Sequence, residues 1–131
     1  MEKKQVLLIM HRKMLADTLA LQLQSHSILN AVVEENYASA VLTAEALLPE
    51  VAVMEIPETG VWSVAEKCLS ICDVMHRQLP LCKLVVLCCD YDADVCRAVI
   101  QAYRANRIDD FLYYDTSIHY LFSKLESLTQ Q

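Results

Sequence analysis

The chain alternates short, continuous apolar runs with longer stretches of helical periodicity. Val6-Leu7-Leu8-Ile9-Met10 is apolar throughout, as a strand covered on both faces requires. Leu15 to Gln24 sets Leu15, Leu19, Leu21 and Leu23 around Asp17 and Gln22, which predicts a helix. Ala31-Val32-Val33-Glu34 predicts a second strand. Tyr37 to Leu48 is rich in Ala and Leu, both good helix formers, and Pro49 ends it because proline cannot continue a helix. Val51-Ala52-Val53-Met54 predicts the third strand, and Pro57-Glu58-Thr59-Gly60 a turn. Ser63 with Glu66 three residues on is a capping-box pattern. It opens a helix that reaches Gln78 and stops before Pro80.

Lys83 to Cys88 is the fourth apolar run. Asp92 or Asp94 caps a helix ending near Ala105, where Asn106 suits a left-handed turn. Phe111-Leu112-Tyr113-Tyr114 predicts the fifth strand. Thr116 or Ser117 caps a last helix, with Ile118, Leu121, Phe122, Leu125 and Leu128 at helical spacing. Five strand–helix units imply an α/β fold with a parallel sheet. The expected architecture is the flavodoxin-like doubly wound sheet of five strands, order 2-1-3-4-5, with helices on both faces. One domain over residues 1–131 is expected.

Composition narrows the function. Hydrophobic residues make up 55% and charged residues 21%, which is globular rather than disordered. The net charge is −6, and no dense basic stripe appears, so the domain is a poor nucleic-acid binder by itself. No apolar run approaches the ~18 residues of a membrane-spanning helix. The cysteines, Cys68, Cys72, Cys82, Cys88, Cys89 and Cys96, lie in hydrophobic runs with no secretory leader before them. They are expected to be reduced and buried in a cytoplasmic protein. One glycine in the chain rules out a GxGxxG dinucleotide loop, and no GxSxG elbow is present. His11-Arg12-Lys13-Met14 after the first strand lacks the hydroxyls and glycines of a flavin phosphate loop, although its positive charge could attract an anion. No cofactor and no metal is expected.

Ligands in such sheets sit at the carboxyl ends of the strands, and there the chain resembles the receiver domain of bacterial response regulators. Pro49 to Pro57 is similar to the family's third strand, with Glu55 at the phosphoacceptor aspartate and Gly60 at the loop glycine. Lys83 to Cys89 followed by Asp90-Tyr91-Asp92 resembles the fourth strand and its loop. Asp109-Asp110-Phe111-Leu112 resembles the start of the fifth, with Phe111 at the switch aromatic. The similarity spans nearly the whole chain.

The departures fall on the chemistry. The resemblance implies two acidic residues after the first strand to hold Mg²⁺; Met10 and His11 stand there, or His11 and Arg12 with a one-residue slip. Neither pair is a hard-oxygen site. Glu55 adds a methylene that moves the carboxylate and disturbs in-line geometry. Cys88 replaces the hydroxyl residue of the fourth strand, and Tyr114 the lysine of the fifth. Phosphoryl transfer is positioning and charge neutralisation, so a pseudo-receiver that takes neither phosphate nor Mg²⁺ is expected, and no catalysis.

The expected function is a regulatory module acting by protein–protein contact, as the N-terminal domain of a transcriptional response regulator. DNA would be met only through an output domain, with no membrane contact. The resemblance implies a homodimer or signalling partner on the face from Asp94 to Leu125, which carries Arg97, Arg104 and Arg107 against Asp109, Asp110 and Asp115. The alternative is a small-ligand or redox sensor using the strand-end pocket rimmed by His11, Arg12, Glu55, Cys88 and Tyr114. Simpler readings stand beside these. Glu55 pairs locally with His11 or Arg12, or mimics a phosphate charge. His11 is hydrogen-bonded, or titrates against Glu55. Cys88 is a small buried residue, or a thiol at the pocket mouth. Phe111 is a packed ring, or a switch. Trp62, Tyr91, Tyr103, Tyr113 and Tyr120 inform only if they cluster.

Overall fold

The computed structural model describes residues 4–25, 29–58 and 62–129, without the side chains of Trp62 and Ser63. Among the described residues the strands are β1 (Lys4–Ile9), β2 (Leu29–Glu34), β3 (Val51–Glu55), β4 (Lys83–Cys88) and β5 (Asp110–Tyr113). The helices are α1 (Lys13–Ser25), α2 (Ala40–Leu47), α3 (Trp62–Gln78), α4 (Ala93–Arg104) and α5 (Ile118–Thr129). All pairings are parallel, in the order β2-β1-β3-β4-β5. This is the flavodoxin-like order expected from the alternation of runs.

Side chains alternate across the strands, and both faces are apolar. Leu7, Ile9, Ala52, Met54, Leu84 and Val86 pack beneath α2, α3 and α4. Val6, Leu8, Val51, Val53, Val85 and Leu87 pack beneath α1 and α5, against Leu19, Leu23, Leu121 and Leu125. Burial on both sides explains why the strands read as unbroken apolar runs.

Local chemistry sets the boundaries. The Asp92 carboxylate accepts from the amides of Asp94 (3.1 Å) and Val95 (3.2 Å), capping α4. Ser117 Oγ accepts from the Tyr120 amide at 3.1 Å and starts α5. Asn106 takes the left-handed turn with φ 61°. Leu48 also has positive φ, 53°, as the last residue before Pro49. A leucine there carries about 1–2 kcal/mol of strain, and its side chain projects into solvent rather than the core.

Several expectations shift. β2 starts two residues early, because Leu29 and Asn30 pair with Lys4 and Gln5, and Asn30 Nδ2 donates to the Gln5 side chain at 2.8 Å. The second helix opens with a 3₁₀ turn, Tyr37–Ser39, capped by Asn36. α3 starts at Trp62, so Ser63 lies inside the helix rather than at its cap. Thr59 and Gly60 of the expected turn lie outside the described residues. β5 ends at Tyr113, leaving Tyr114 in the following turn, where its amide still reaches the Cys88 carbonyl at 3.0 Å.

Leu19→Ala removes a fully buried side chain and is expected to lower the unfolding free energy by about 2–5 kcal/mol in a urea titration. Leu21→Ala, at a residue 69% exposed, is expected to change it by less than about 0.5 kcal/mol. Equal losses would contradict the inward face assigned to α1.

Candidate functional site

Four strand ends meet around Glu55, the last residue of β3. Its side chain is fully buried, beside an otherwise apolar sheet end. Oε1 accepts from the backbone amides of His11 (2.5 Å) and Arg12 (2.9 Å), where the chain turns from β1 into α1. Oε2 lies 3.6 Å from Arg12 Nε and has no hydrogen-bond partner. The glutamate backbone is held too: its carbonyl accepts from the Tyr37 hydroxyl at 2.6 Å.

Arg12 is the hub of the site. Its guanidinium carbon lies 4.2 Å from the centroid of the Tyr114 ring, in cation–π geometry. Nη2 bonds to Glu58 Oε1, and Glu58 Oε2 accepts the Tyr91 hydroxyl. Tyr114 in turn donates its hydroxyl to the Ile56 carbonyl. A cleft beside this cluster, lined by Ile56, Pro57, Glu58, Cys89, Tyr91, Asp92 and Val95, has about 30 Å³. That is room for one water molecule.

The expected site residues divide. Met10 is buried in the apolar layer under α1. His11 contributes its amide rather than its ring, and Glu55 meets its positive charge in Arg12. Cys88 is not at a pocket mouth: it is fully buried in the layer under α3 and α4. The alternation of the strand turns it away from Glu55. Cys68 and Cys72 are likewise core residues, while Cys96 is only half-buried, its Sγ 3.3 Å from the Cys89 carbonyl oxygen. All six thiols are free. Glu58, Tyr37 and the bridging role of Tyr91 were not legible as site features. The expected local pairing of Glu55 with His11 or Arg12 is met by the Arg12 guanidinium.

The Mg²⁺ site implied by the resemblance does not fit these residues. Met10 offers no oxygen, and a guanidinium stands beside the free oxygen of Glu55. Among the described residues no group of three or more His, Cys, Asp or Glu could hold a metal ion.

The charged face also sorts itself. Arg107 is bound bidentately by Asp73 of α3, both contacts at 2.8 Å. Asp109 accepts the Leu84 amide at 2.7 Å. Asp110 pairs with Lys124 at 2.8 Å, and Arg97 with Asp94 of its own helix at 3.2 Å. Arg104 and Asp115 are exposed. Of the named aromatics, Tyr103 and Tyr113 gather on Phe111, while Tyr91 sits beside Glu58 at the crevice. Phe111 meets Tyr103 edge-on at 5.5 Å and Tyr113 at 5.9 Å, and Tyr120 on α5 is 53% exposed.

No protein-family model matches the chain, and no curated protein sequence matches it. Solved structures do. A response regulator from Thermotoga maritima superposes with TM-score 0.78 at 12% identity, over 98% of this chain and 99% of that one. A DNA-binding response regulator of the LuxR family from Staphylococcus aureus gives 0.75 at 13%, over 96% and 98%. An orphan response regulator of H. pylori gives 0.76 at 15%, over 96% of each. The chain therefore has the fold of response-regulator receiver domains. Among the described residues no helix is long and apolar enough to cross a membrane.

Burial controls the titrating groups. It pushes the Cys68 thiol from 9.0 up to about 11, helped by the charge of Glu55. It pushes Cys88 up to about 12, helped by Cys96 and Cys89. The Tyr37 and Tyr114 phenols are raised by burial first and by Glu55 second. The folded chain thus keeps protons that the unfolded chain has already lost. The contribution of these groups to stability is expected to be level from neutral pH to about pH 8.5 and to fall as pH rises beyond it, in urea titrations at stepped pH. An unchanged midpoint up to about pH 10.5 would contradict this burial.

Proposed function

We propose that this chain is a phosphorylation-independent regulatory module of the receiver type that acts by protein contact and catalyses no reaction. The observation that carries the reading is the environment of Glu55. One carboxylate oxygen is spent on two backbone amides, and the other is buried behind Arg12. An acceptor oxygen must be open to in-line approach by the phosphoryl group, with a cation to neutralise the transferred charge. The oxygens of Glu55 are closed to that approach, and Arg12 is already committed to two carboxylates.

Met10, His11, Cys88 and Tyr114 are then remnants of position rather than of chemistry. Residues 1–131 form one cytoplasmic unit on this reading. The aromatic face is the contact surface, with Tyr103, Phe111 and Tyr113 at its centre and Arg97, Arg104, Asp110 and Asp115 around it. Tyrosine anchors framed by mixed charge favour a second copy of the chain or a signalling partner. Arg107 and Asp109 contribute by shaping that face, since both are bonded within the fold. The staphylococcal neighbour is described as DNA-binding; a comparable role here works through an output domain joined to this one.

Incubation with acetyl phosphate and Mg²⁺, followed by intact-mass measurement, is expected to show no phosphoryl adduct. An acyl phosphate on Glu55 would overturn the reading. Sedimentation equilibrium is expected to show self-association that Tyr103→Ala weakens about tenfold or more. A monomer with no partner-dependent change at this face would remove the contact surface.

A further inference from the structure

The crevice carries a cation of its own, and that cation reaches further than Glu55. Glu55 Oε2 is buried and lacks a hydrogen-bond partner, with Arg12 Nε 3.6 Å away. A bare buried carboxylate oxygen is strongly unfavourable unless a positive charge offsets it. Arg12 also extends outward to Glu58, which follows β3, and Glu58 takes the hydroxyl of Tyr91, which follows β4. Tyr91 is 72% exposed and has no part in either core layer. It is the immediate neighbour of Asp92, the cap of α4. The Glu58 carboxylate that accepts from Tyr91 pushes its hydroxyl up to about 12.

We propose that Arg12 is the resident counter-cation of this crevice and that, through Glu58 and Tyr91, it straps residues 89–92 to the end of β3 and so fixes the start of α4. The inference rests on the crevice being closed to phosphoryl transfer, and it names what holds the α4 side of the contact face instead. A guanidinium suits the task because its planar fork of donors serves two carboxylates at once. The ring of Tyr114 beneath it fixes the plane. Each exposed link is weak alone. Its effect comes from being tied to a carboxylate buried in the interior. The strap opens and closes by local fluctuation, which amide exchange reads directly.

Hydrogen exchange of the full chain, resolved by segment, tests the strap with Tyr91→Phe and Glu58→Gln. Both variants alter groups outside the two core layers and leave those layers intact. Amides of residues 90–95 are expected to exchange about three- to tenfold faster in both variants, with β3 unchanged. Arg12→Ala is expected to show the same loosening. It is also expected to be stabilised against heat by millimolar Mn²⁺, since Glu55 and Glu58 have lost their shared cation, whereas the unaltered chain is not. Unchanged exchange in Tyr91→Phe and Glu58→Gln would overturn the strap. Equal stabilisation of Arg12→Ala and the unaltered chain by Mn²⁺ would overturn Arg12 as the resident cation. Should Arg12→Ala fail to fold, the two exposed variants still decide the strap. An acyl phosphate on the unaltered chain would sink the reading of a closed crevice without touching the exchange result, so the two failures are distinguishable.

Discussion

A carboxylate taken out of water must find its compensation inside the chain, and Glu55 does so at the one place where four strand ends converge. Two amides at the β1–α1 turn take one oxygen, and a guanidinium faces the other. The amides of the turn after β1 and its arginine are thereby assigned to Glu55. Tyr114 stands where the resemblance implies a cation. Arg12 supplies the positive charge, and the ring supplies a surface for it to lie on. Glu55 at the end of β3 and Arg12 after β1 are thus physically coupled, and the bond to Glu58, which holds Tyr91, follows from the reach of the same side chain.

Much of the architecture was legible because its causes are local. Unbroken apolar runs such as Val6 to Met10 are readable since both sheet faces are buried. Asp92 and Asn106 announce the ends of α4 through capping and left-handed geometry. The boundaries that moved depend on partners distant in sequence: Leu29 joins β2 because β1 offers its backbone. Within the site, the residues that depart from the resemblance could be named from the sequence, but the bonds among them could not. Alternation along β4 put Cys88 on the far layer, so its proximity in sequence to the crevice misled. His11 and Arg12 were equivalent candidates as partners of Glu55, because only the turn geometry decides which gives an amide and which a side chain.

The fold and the chemistry carry separate information. Superposition over nearly the full chain at 12–15% identity fixes the path of the backbone; what the strand ends do is set by a few side chains. Those side chains enclose the Glu55 carboxylate and set a guanidinium beside it. One set of charges joins the end of β3, the turn after β1 and the loop after β4.

The most direct measurement is a double-mutant cycle between Arg12 and Glu55, using Arg12→Ala, Glu55→Gln and the pair, with unfolding free energies from urea titration. A buried charge facing its only cation predicts a favourable coupling of about 1 kcal/mol or more. Losses that simply add, leaving no coupling beyond about 0.3–0.5 kcal/mol, would contradict the claim that Arg12 neutralises the crevice.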